Sequence, residues 1–226
     1  MEYLEMGDLQ NHIDSAPPLP EPEACEIISQ VLEAVRHMHD NDFAHRDLKP
    51  AVSDTLTFLD SLTDSLELQN ILIKSRPPKR WWIKIADFGI TKRVEETLRG
   101  PSTIKGTPLY MPPETQGILP PEYEARPVNL YLADMWAVGM IAFLSLTKKS
   151  PFQNFGELFP YMQGSKPFPS NVLSTCRVSE DAQRFIVGFL SRVPEARWTA
   201  VGALNDKWIV ERHSREPLET RPFLLE

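Results

Sequence analysis

In the N-terminal part of the chain, two segments without helical periodicity precede one long stretch in which apolar residues recur at the spacing of a helix. The first nine residues are predicted to be extended and to turn at Gly7. Prolines crowd residues 16–22, which therefore cannot lie in the interior of a helix. Apolar residues then recur at spacings of one, three and four, and this stripe predicts an amphipathic helix from about Glu23 to about Asp40.

The C-terminal half contains three further helical patterns. Leu132 to Leu146 is apolar nearly all round, which predicts a helix buried at the centre of the fold. Its longest apolar stretch, Met135 to Leu146, is shorter than a membrane span requires. Apolar stripes predict a helix around residues 182–190 and a last short one over residues 200–209, with a polar tail after about Glu211.

Between these helical regions the pattern changes to strands and loops. Two short apolar runs, Ile71–Ile73 and Trp81–Ile85, flank a segment with two prolines and predict a β-hairpin with a long turn. Residues 87–124 show no sustained period, which predicts a long loop, and long loops in compact domains are usually functional. The chain is therefore expected to be mainly helical, with one hairpin and one long loop.

Composition narrows the class of protein. Hydrophobic residues make up 42% and charged residues 24% of the 226, which is typical of a globular protein. The formal net charge of −7 gives no overall basic footprint, so nucleic acid is not predicted as a partner. No membrane is predicted either, since the longest apolar stretch is too short for a span. The N-terminus has no signal-peptide pattern, and Cys25 and Cys176 are far apart. We predict two free thiols in an intracellular protein, cytoplasmic or nuclear; the oligomeric state is not indicated.

The strongest chemical signal is a set of three short segments at the ends of a predicted helix and of the predicted hairpin. They are His45-Arg46-Asp47-Leu48-Lys49-Pro50, then Asn70-Ile71-Leu72-Ile73, and then Asp87-Phe88-Gly89. Phosphoryl transfer needs a carboxylate to orient the attacking hydroxyl, a cation near the transferred phosphate and oxygen ligands for Mg²⁺. The segments supply these residue types, and together they resemble the catalytic loop and D-F-G motif of eukaryotic-type Ser/Thr protein kinases.

The resemblance implies a role for each matching residue. Asp47 is expected to be the catalytic base and Lys49 the phosphate-contacting lysine. Asn70 and Asp87 are expected to be the ligands of Mg²⁺. A lysine two places after the aspartate is typical of the Ser/Thr kinases in the family. The reaction implied is transfer of the γ-phosphoryl group of ATP to a serine or threonine hydroxyl of a protein substrate.

Motifs further along the chain agree with this resemblance. Gly106–Glu114 resembles the end of the family's activation segment, with Pro112 in place of the usual alanine. The resemblance implies that Glu114 forms a buried ion pair with Arg197. It also implies that Asp134, at the start of the central helix, braces the backbone of the catalytic loop. Candidate phosphorylation sites in the preceding loop, of a kind that any loop contains, are Thr97, Ser102 and Thr103.

The opening segment Met1–Leu9 resembles the hinge that joins the two lobes of the family's domain. On this resemblance, the backbones of Glu2 and Leu4 are expected to pair with the adenine of ATP. Asp8 is expected to reach the ribose, and Leu72 to form the floor of the adenine pocket. These residues form the adenosine part of the implied ATP site.

The resemblance covers nearly the whole chain but only the C-terminal two-thirds of the family's domain. Because Met1 already stands at the gatekeeper position, we expect the N-terminal lobe, with its Gly-rich loop and lysine, to be missing. Residues 1–212 are then a hinge and C-terminal lobe, and residues 213–226 a tail. The family's fold class is α+β, and this part of it is expected to be mainly α with a small β-hairpin. Kinase activity of these 226 residues alone is predicted to be negligible.

Residues 51–69 depart from the family pattern. Asn70 follows Asp47 by 23 positions, where the family has five, and residues 51–69 contain four acidic residues and no basic one. One explanation is a true insertion, whose leucines could form an amphipathic helical stripe. The other is translated intron, because deleting Val52–Gln69 restores an uninterrupted motif and its ends can be encoded by splice donor and acceptor sequences. We favour the second explanation.

Two functions from different classes follow from these patterns. The first is a fragment of a Ser/Thr protein kinase that uses ATP and Mg²⁺. The second is a catalytically inactive kinase-like module that binds partners through the lobe's substrate groove, or a truncated gene product. Retention of every predicted chemical residue favours the first, whereas the expected absence of the N-terminal lobe favours the second.

Overall fold

A computed structural model describes residues 5–45, 70–86, 92–93, 111–116, 119–120 and 128–213, and for residues 92–93 and 212–213 it describes the backbone alone. Helices predominate in these residues, and the strands form two small antiparallel pairs. The predicted class, mainly α with a small hairpin, is confirmed.

The chain enters the described region through a turn at Gly7, as predicted, where φ is +73°. Asp8 then caps helix α1 (Leu9–Ser15) by accepting a hydrogen bond from the backbone N–H of Asn11 at 2.8 Å. This helix was not predicted, because its apolar face consists of a single pair, Leu9 and Ile13, four residues apart.

Helix α2 (Glu21–Asp40) begins two residues before the predicted start. Pro22 lies in its first turn, where the missing N–H would have no partner inside the helix, so the proline is tolerated. Ile27, Ile28 and Val31 of the predicted apolar stripe are completely buried, and only Met38 at its C-terminal end is half-buried. The stripe therefore predicted the helix and its buried face correctly.

Two antiparallel strand pairs follow. Strand β1 (Phe43–Ala44) pairs with β4 (Lys92–Arg93), and β2 (Ile71–Ser75) pairs with β3 (Trp82–Ile85). The second pair is the predicted hairpin. The first pair was not predicted, because strands of two residues are too short for a period to show.

The outer edge of the hairpin is closed by a side chain of α2. Gln30 donates through Nε2 to the carbonyl of Trp81 at 2.9 Å and accepts through Oε1 from the N–H of Ile83 at 3.1 Å. Both backbone groups belong to the edge of β3, which would otherwise expose unpaired donors and acceptors. The hairpin is thereby fixed to the helical part of the fold.

Helix α3 (Leu130–Thr147) forms the centre of the fold. Sixteen of its 18 residues are buried, as the all-round apolar pattern predicted. The helix is longer than predicted, and by length and composition it could cross a membrane; 89% of it is nevertheless buried within the fold, as in a core helix. The expectation that its apolar stretch is too short for a span was wrong, and the expectation of a buried core helix is confirmed.

Five shorter helices complete the described part. They are α4 (Phe155–Met162), α5 (Asn171–Thr175), α6 (Glu180–Phe189), α7 (Ala200–Leu204) and α8 (Lys207–His213). The stripe at residues 182–190 correctly predicted α6, whereas the single helix expected over residues 200–209 is two, α7 and α8. The predicted tail begins later than Glu211, because α8 continues to His213. Helix α4 was not predicted, since it contains Pro160.

The core is built where α2 and α6 pack on α3. At the contact with α6, Gly139 of α3 approaches so closely that a Cβ there would lie 2.6 Å from Cβ of Phe189. Four aromatic side chains, Phe143, Phe152, Tyr161 and Phe168, pack together at the end of α3. The two cysteines are free thiols, as predicted.

Candidate functional site

Three of the predicted site residues, Asp8, Asn70 and Leu72, lie in the described part of the chain. Five lie outside the described residues: Glu2, Leu4, Asp47, Lys49 and Asp87. The unusual segment 51–69 and the candidate phosphorylation sites Thr97, Ser102 and Thr103 lie outside them too. The site is therefore built from the residues that flank the predicted catalytic groups.

The ends of the three predicted motif segments meet in one buried cluster. The N–H of Ala86 donates to the carbonyl of Asn70 at 2.7 Å, which closes the open end of the hairpin. His45 Nε2 lies 3.4 Å from the carbonyl oxygen of Ala86. Along the chain His45 precedes Arg46 and Asp47, and Ala86 precedes Asp87. The segments that carry Asp47, Asn70 and Asp87 are thus joined at adjacent points.

Asp134 fixes this cluster to the central helix. Its Oδ2 accepts a hydrogen bond from the backbone N–H of His45 at 2.8 Å and another from Nε2 of His39 at 3.0 Å. Asp134 is only 2% exposed, so these donors compensate a carboxylate that is almost completely removed from water. The expectation that Asp134 braces the catalytic loop backbone is confirmed at His45. The contribution of His39 was missed, because no local pattern relates residues 95 positions apart.

A tyrosine covers the outer side of the same cluster. The ring of Tyr131 lies with its centroid 4.6 Å from that of His39. Loss of solvation raises the pKa of Tyr131, and the charge of Asp42 and its hydrogen bond to the phenol raise it further, with a smaller contribution from Asp134. The phenol therefore stays protonated at neutral pH and acts as a hydrogen-bond donor to Asp42.

The predicted hinge and the predicted floor of the adenine pocket lie side by side. The N–H of Ile73 donates to the carbonyl of Gly7 at 2.9 Å, and Asp8 forms a β-bridge with Leu72. In β2 the side chains of Ile71 and Ile73 are buried, whereas Leu72 points to the opposite face and is half-buried. The partly accessible side chain of Leu72 thus lies beside the predicted hinge, a position that suits contact with the flat face of a purine base.

Asp8 has a structural role in addition to the predicted one. Its Oδ1 accepts from the backbone N–H of Asn11 at 2.8 Å, and its Oδ2 accepts from Nδ2 of Asn11 at 2.7 Å. A carboxylate has about four lone-pair sites, so these two bonds leave capacity for a hydroxyl donor. The capping role positions Asp8 at the end of the hinge, where a ribose contact is expected.

The predicted ion pair between Glu114 and Arg197 is present. Both guanidinium Nη atoms donate to the two carboxylate oxygens at 2.7 Å. The arginine side chain is 0% exposed and the glutamate side chain 8% exposed. Arg197 also donates to the carbonyls of Leu132 and Ser191 at 2.8 and 2.9 Å, and its guanidinium lies 5.0 Å from the ring centroid of Trp136. The pair fixes the segment around Glu114 to the start of α3.

The donor set fits Mg²⁺ and ATP as far as the described residues reach. Asn70, 4% exposed, has a side-chain oxygen of the kind that Mg²⁺ prefers and is hydrogen-bonded to the residue before Asp87. Within the described ranges no group of three His, Cys, Asp or Glu residues is placed to hold a metal ion by itself. The described part of the chain thus supplies one residue of the predicted Mg²⁺ site, Asn70, and the other predicted ligand, Asp87, lies outside the described residues.

A helical lobe on a buried central helix, with a hairpin whose open end meets a histidine-led loop, is the architecture of the lower lobe of a protein kinase. The profile of the family described as protein kinase domain matches residues 1–52 and 65–209. The chain therefore belongs to the protein kinase domain family. The match leaves residues 53–64 without a counterpart, inside the segment that departs from the motif.

Curated relatives are Ser/Thr kinases. The chain is 33% identical over 215 residues to the serine/threonine-protein kinase RAD53 of Saccharomyces cerevisiae, with 92% of this chain and 24% of that protein covered. It is 33% identical to the serine/threonine-protein kinase DCLK3 of Mus musculus, covering 92% and 23%. It is 32% identical to a calcium/calmodulin-dependent protein kinase of Metarhizium anisopliae, covering 93% and 48%. The chain thus spans between about a quarter and a half of the length of these relatives.

Solved kinase structures share the fold. The crystal structure of the Rad53 kinase domain and SCD2 superposes with a TM-score of 0.66 at 30% identity, covering 92% of this chain and 65% of that one. The same kinase domain and SCD2 in complex with AMPPNP gives a TM-score of 0.66 at 28% identity, covering 92% and 67%. The family and the α+β class inferred from the sequence motifs are therefore confirmed.

Proposed function

We propose that the protein to which this chain belongs transfers the γ-phosphoryl group of ATP to a serine or threonine hydroxyl of a protein substrate. The observation that carries this proposal is the cluster of His45, Asn70 and Ala86, which joins the three segments that supply the predicted chemical groups. Asp134 and His39 hold that cluster to the central helix. Phosphoryl transfer depends mainly on positioning and charge, which such a buried polar support provides.

Each predicted residue has a distinct task in this proposal. Asp47 accepts the proton of the substrate hydroxyl and orients its oxygen for attack, and Lys49 offsets negative charge near the transferred phosphate. Asn70 and Asp87 hold Mg²⁺, which when bound neutralises charge on the phosphate oxygens. The hydrogen bond between the backbones of Asn70 and Ala86 supports this assignment, because it keeps the two ligand-bearing segments together.

The adenosine part of ATP is assigned to the hinge. Glu2 and Leu4 bind the adenine through their backbones, and Leu72 packs against its face. Asp8 accepts a hydrogen bond from a ribose hydroxyl. The bridge between Asp8 and Leu72 supports the pairing of the last two residues. The AMPPNP complex of the Rad53 kinase domain, which has a similar fold, supports nucleotide binding by this architecture. We assign residues 1–212 to the kinase domain and residues 213–226 to a tail, in an intracellular protein.

Segment 51–69 is proposed to be foreign to the catalytic loop. Its acidic composition, the 23-position separation of Asp47 from Asn70 and the lack of a family counterpart for residues 53–64 support this. Translated intron remains the preferred origin. Sequencing the messenger tests it: transcripts lacking the 18 codons of Val52–Gln69 are expected, and transcripts that uniformly retain them would establish a true insertion.

Nucleotide binding is the first test of the proposed function. With Mg·ATP at millimolar concentration the apparent melting temperature of the chain is expected to rise, because a ligand that binds only the native state stabilises it. Asp87→Asn should abolish the part of the shift that depends on Mg²⁺ and leave the melting temperature without nucleotide nearly unchanged. A shift that is identical without Mg²⁺ and in the variant would contradict the assigned metal ligands.

Phosphoryl transfer is tested on the full-length protein with and without Val52–Gln69. Transfer from radiolabelled ATP to a generic protein substrate is expected in the form that lacks the segment, and Asp47→Asn should reduce it by at least about a hundredfold. The separation of Asp47 from Asn70 favours the second candidate, a non-catalytic binding module, for the form that retains the segment. Mg·ATP binding without any Asp47-dependent transfer in either form would establish that module instead.

A further inference from the structure

Positive charge is concentrated in the β2–β3 hairpin of an otherwise acidic chain. Residues 74–84 contain five cations and no carboxylate, so the rest of the chain has a formal net charge of −12 against −7 for the whole. Lys84 lies near the open end, and the other four surround the tip. We call these four the basic tip: Lys74, Arg76, Lys79 and Arg80.

The basic tip is both exposed and held in shape. Residues 76–80 are all exposed. The tip is closed by the N–H of Lys79, which donates to the carbonyl of Arg76 at 3.1 Å, and by Oγ of Ser75, which donates to the carbonyl of Arg80 at 2.7 Å. At its base Gln30 binds the backbone of β3. The loop that carries the cations is therefore already formed, so less conformational entropy would be lost when a ligand binds.

The hydrogen bond that Arg76 makes beside the tip does not neutralise its charge. Nη1 of Arg76 donates to Nδ1 of His12 at 2.8 Å, so its neighbour is a neutral imidazole acting as acceptor. Burial lowers the pKa of His12 and the charge of Arg76 lowers it further, while Glu23 raises it, which agrees with a neutral ring. The carboxylate of Glu23 accepts a hydrogen bond from the indole N–H of Trp81 at 2.7 Å, so it is engaged by the base of the hairpin.

Two cations of the basic tip illustrate the imbalance. In residues 5–45, 70–86 and the other described ranges, neither Arg76 nor Lys79 makes a salt bridge. Nζ of Lys74 lies 4.1 Å above the ring centroid of Trp82, in a cation–π contact. The surface therefore favours an anionic ligand.

We propose that the basic tip binds a short acidic segment of a partner protein, either carboxylate-rich or phosphorylated. The tip offers cations over a few residues only, whereas the chain around it is strongly acidic. An extended polyanion such as RNA, or an anionic membrane, would also approach the rest of the chain, whose formal net charge of −12 would repel it. A short peptide can place its charges on the tip alone. This surface is separate from the phosphoryl-transfer chemistry and does not require it.

Peptide binding tests the proposal directly. The probe is a fluorescein-labelled 12-residue peptide of alternating Glu and Ser, compared with a Gln-for-Glu version and with a phosphoserine version that keeps Gln. Fluorescence anisotropy with the 226-residue chain should show saturable binding of the two anionic peptides and much weaker binding of the neutral one. The affinity of the Glu-containing peptide relative to that of the phosphoserine peptide distinguishes a carboxylate-rich partner from a phosphorylated one. Affinity should fall as salt is raised, since exposed charges are screened.

A matched pair of double substitutions identifies the surface. Arg76→Glu with Lys79→Glu should weaken binding of the anionic peptides by at least about tenfold. Lys149→Glu with Lys166→Glu, which changes the net charge equally at exposed positions elsewhere, should weaken it by less than about twofold. If the first pair impairs folding, Arg76→Gln with Lys79→Gln replaces it. Equal losses in the two pairs would overturn the proposal, as would absence of binding or tighter binding to RNA or phosphatidylserine vesicles than to the peptides. No ATP is used, so the result does not depend on whether the protein is a kinase.

Discussion

The helical core and the hairpin edge of this lobe are stabilised in different ways. In the core, α3 buries 16 of its 18 residues against its neighbours, and the contacts are almost entirely apolar. At the edge, the hairpin buries one face only and is joined to α2 by the side chain of Gln30 and to the hinge by the backbone of Gly7. The stability of the apolar core should therefore depend little on pH. The stability of the hairpin edge, which bears the predicted ATP site, should depend on a few polar contacts.

The exception to this apolar core is the buried ion pair of Glu114 and Arg197, where the largest effect is expected. Arg197→Ala leaves Glu114 buried without its bidentate partner, and removing one member of a buried pair typically costs about 3–5 kcal/mol of unfolding free energy. Urea unfolding followed by circular dichroism measures the change.

Arg184 provides the matched control for Arg197. It also pairs with a buried carboxylate, Asp206, at 2.7 Å, but the side chain of Arg184 is 48% exposed. Arg184→Ala should cost less than Arg197→Ala, because Asp206 keeps a hydrogen bond from the backbone N–H of Trp208 at 2.9 Å, whereas Glu114 loses both guanidinium donors. Similar losses of unfolding free energy in the two variants would show that burial of the arginine does not determine how much its ion pair stabilises the lobe.

A close helix contact inside the core should be nearly as sensitive. Gly139→Ala places a Cβ 2.6 Å from Cβ of Phe189 and 2.9 Å from Leu190, so α3 and α6 must move apart, at a cost of about 1–3 kcal/mol. Gly156→Ala in α4 is the control, because its new Cβ meets only the movable end of Asn154. The control should change stability by a few tenths of a kcal/mol, with a helix-propensity gain offsetting the contact. A neutral Gly139→Ala would show that the core is looser than the contact distance implies.

At the edge, loss of a single side chain should loosen the hairpin more than the whole fold. Gln30→Leu removes the partners of the Trp81 carbonyl and the Ile83 N–H, and we expect a cost of about 1–2 kcal/mol. Hydrogen exchange at Ile83 should accelerate, while amides of α3 exchange as before. Gln30→Glu keeps the acceptor for the N–H of Ile83, so exchange at Ile83 should accelerate less than in Gln30→Leu. Uniform acceleration across hairpin and core would contradict an independently supported edge.

The sequence predicted the core better than the edge, for a physical reason. Periodicity reports burial of one face over several turns, so α2, α3 and α6 were correct to within a few residues. It carries no signal for the two-residue strands β1 and β4, nor for α4 with its internal proline. Short elements are specified by tertiary contacts instead.

The supports of the candidate site divide in the same way. The contacts of Asp134 with the catalytic loop and of Glu114 with Arg197 were expected from motif resemblance and are confirmed. His39 and Gln30 were missed, because each is a polar residue on an amphipathic helix whose partner lies 95 or about 50 positions away. Such long-range polar pairs leave no local pattern, although they hold the segments that carry the predicted chemistry.

The smallest expected effect is a pH dependence at the edge that the core should lack. Burial lowers the pKa of His12 below its ordinary value of 6.5, and Arg76 lowers it further against the opposing influence of Glu23. Above 6.5 the imidazole is neutral in both states and contributes no pH dependence. As the pH falls below 6.5 the unfolded chain binds the proton first, so unfolding free energy is lost until the pH passes the lowered pKa of the folded state. In urea titrations from about pH 7.5 to about pH 5.5, His12→Gln should lose less stability than the unsubstituted chain, and Arg76→Gln should fall between them. The same pH dependence in all three proteins would mean that this contact does not couple protonation to folding.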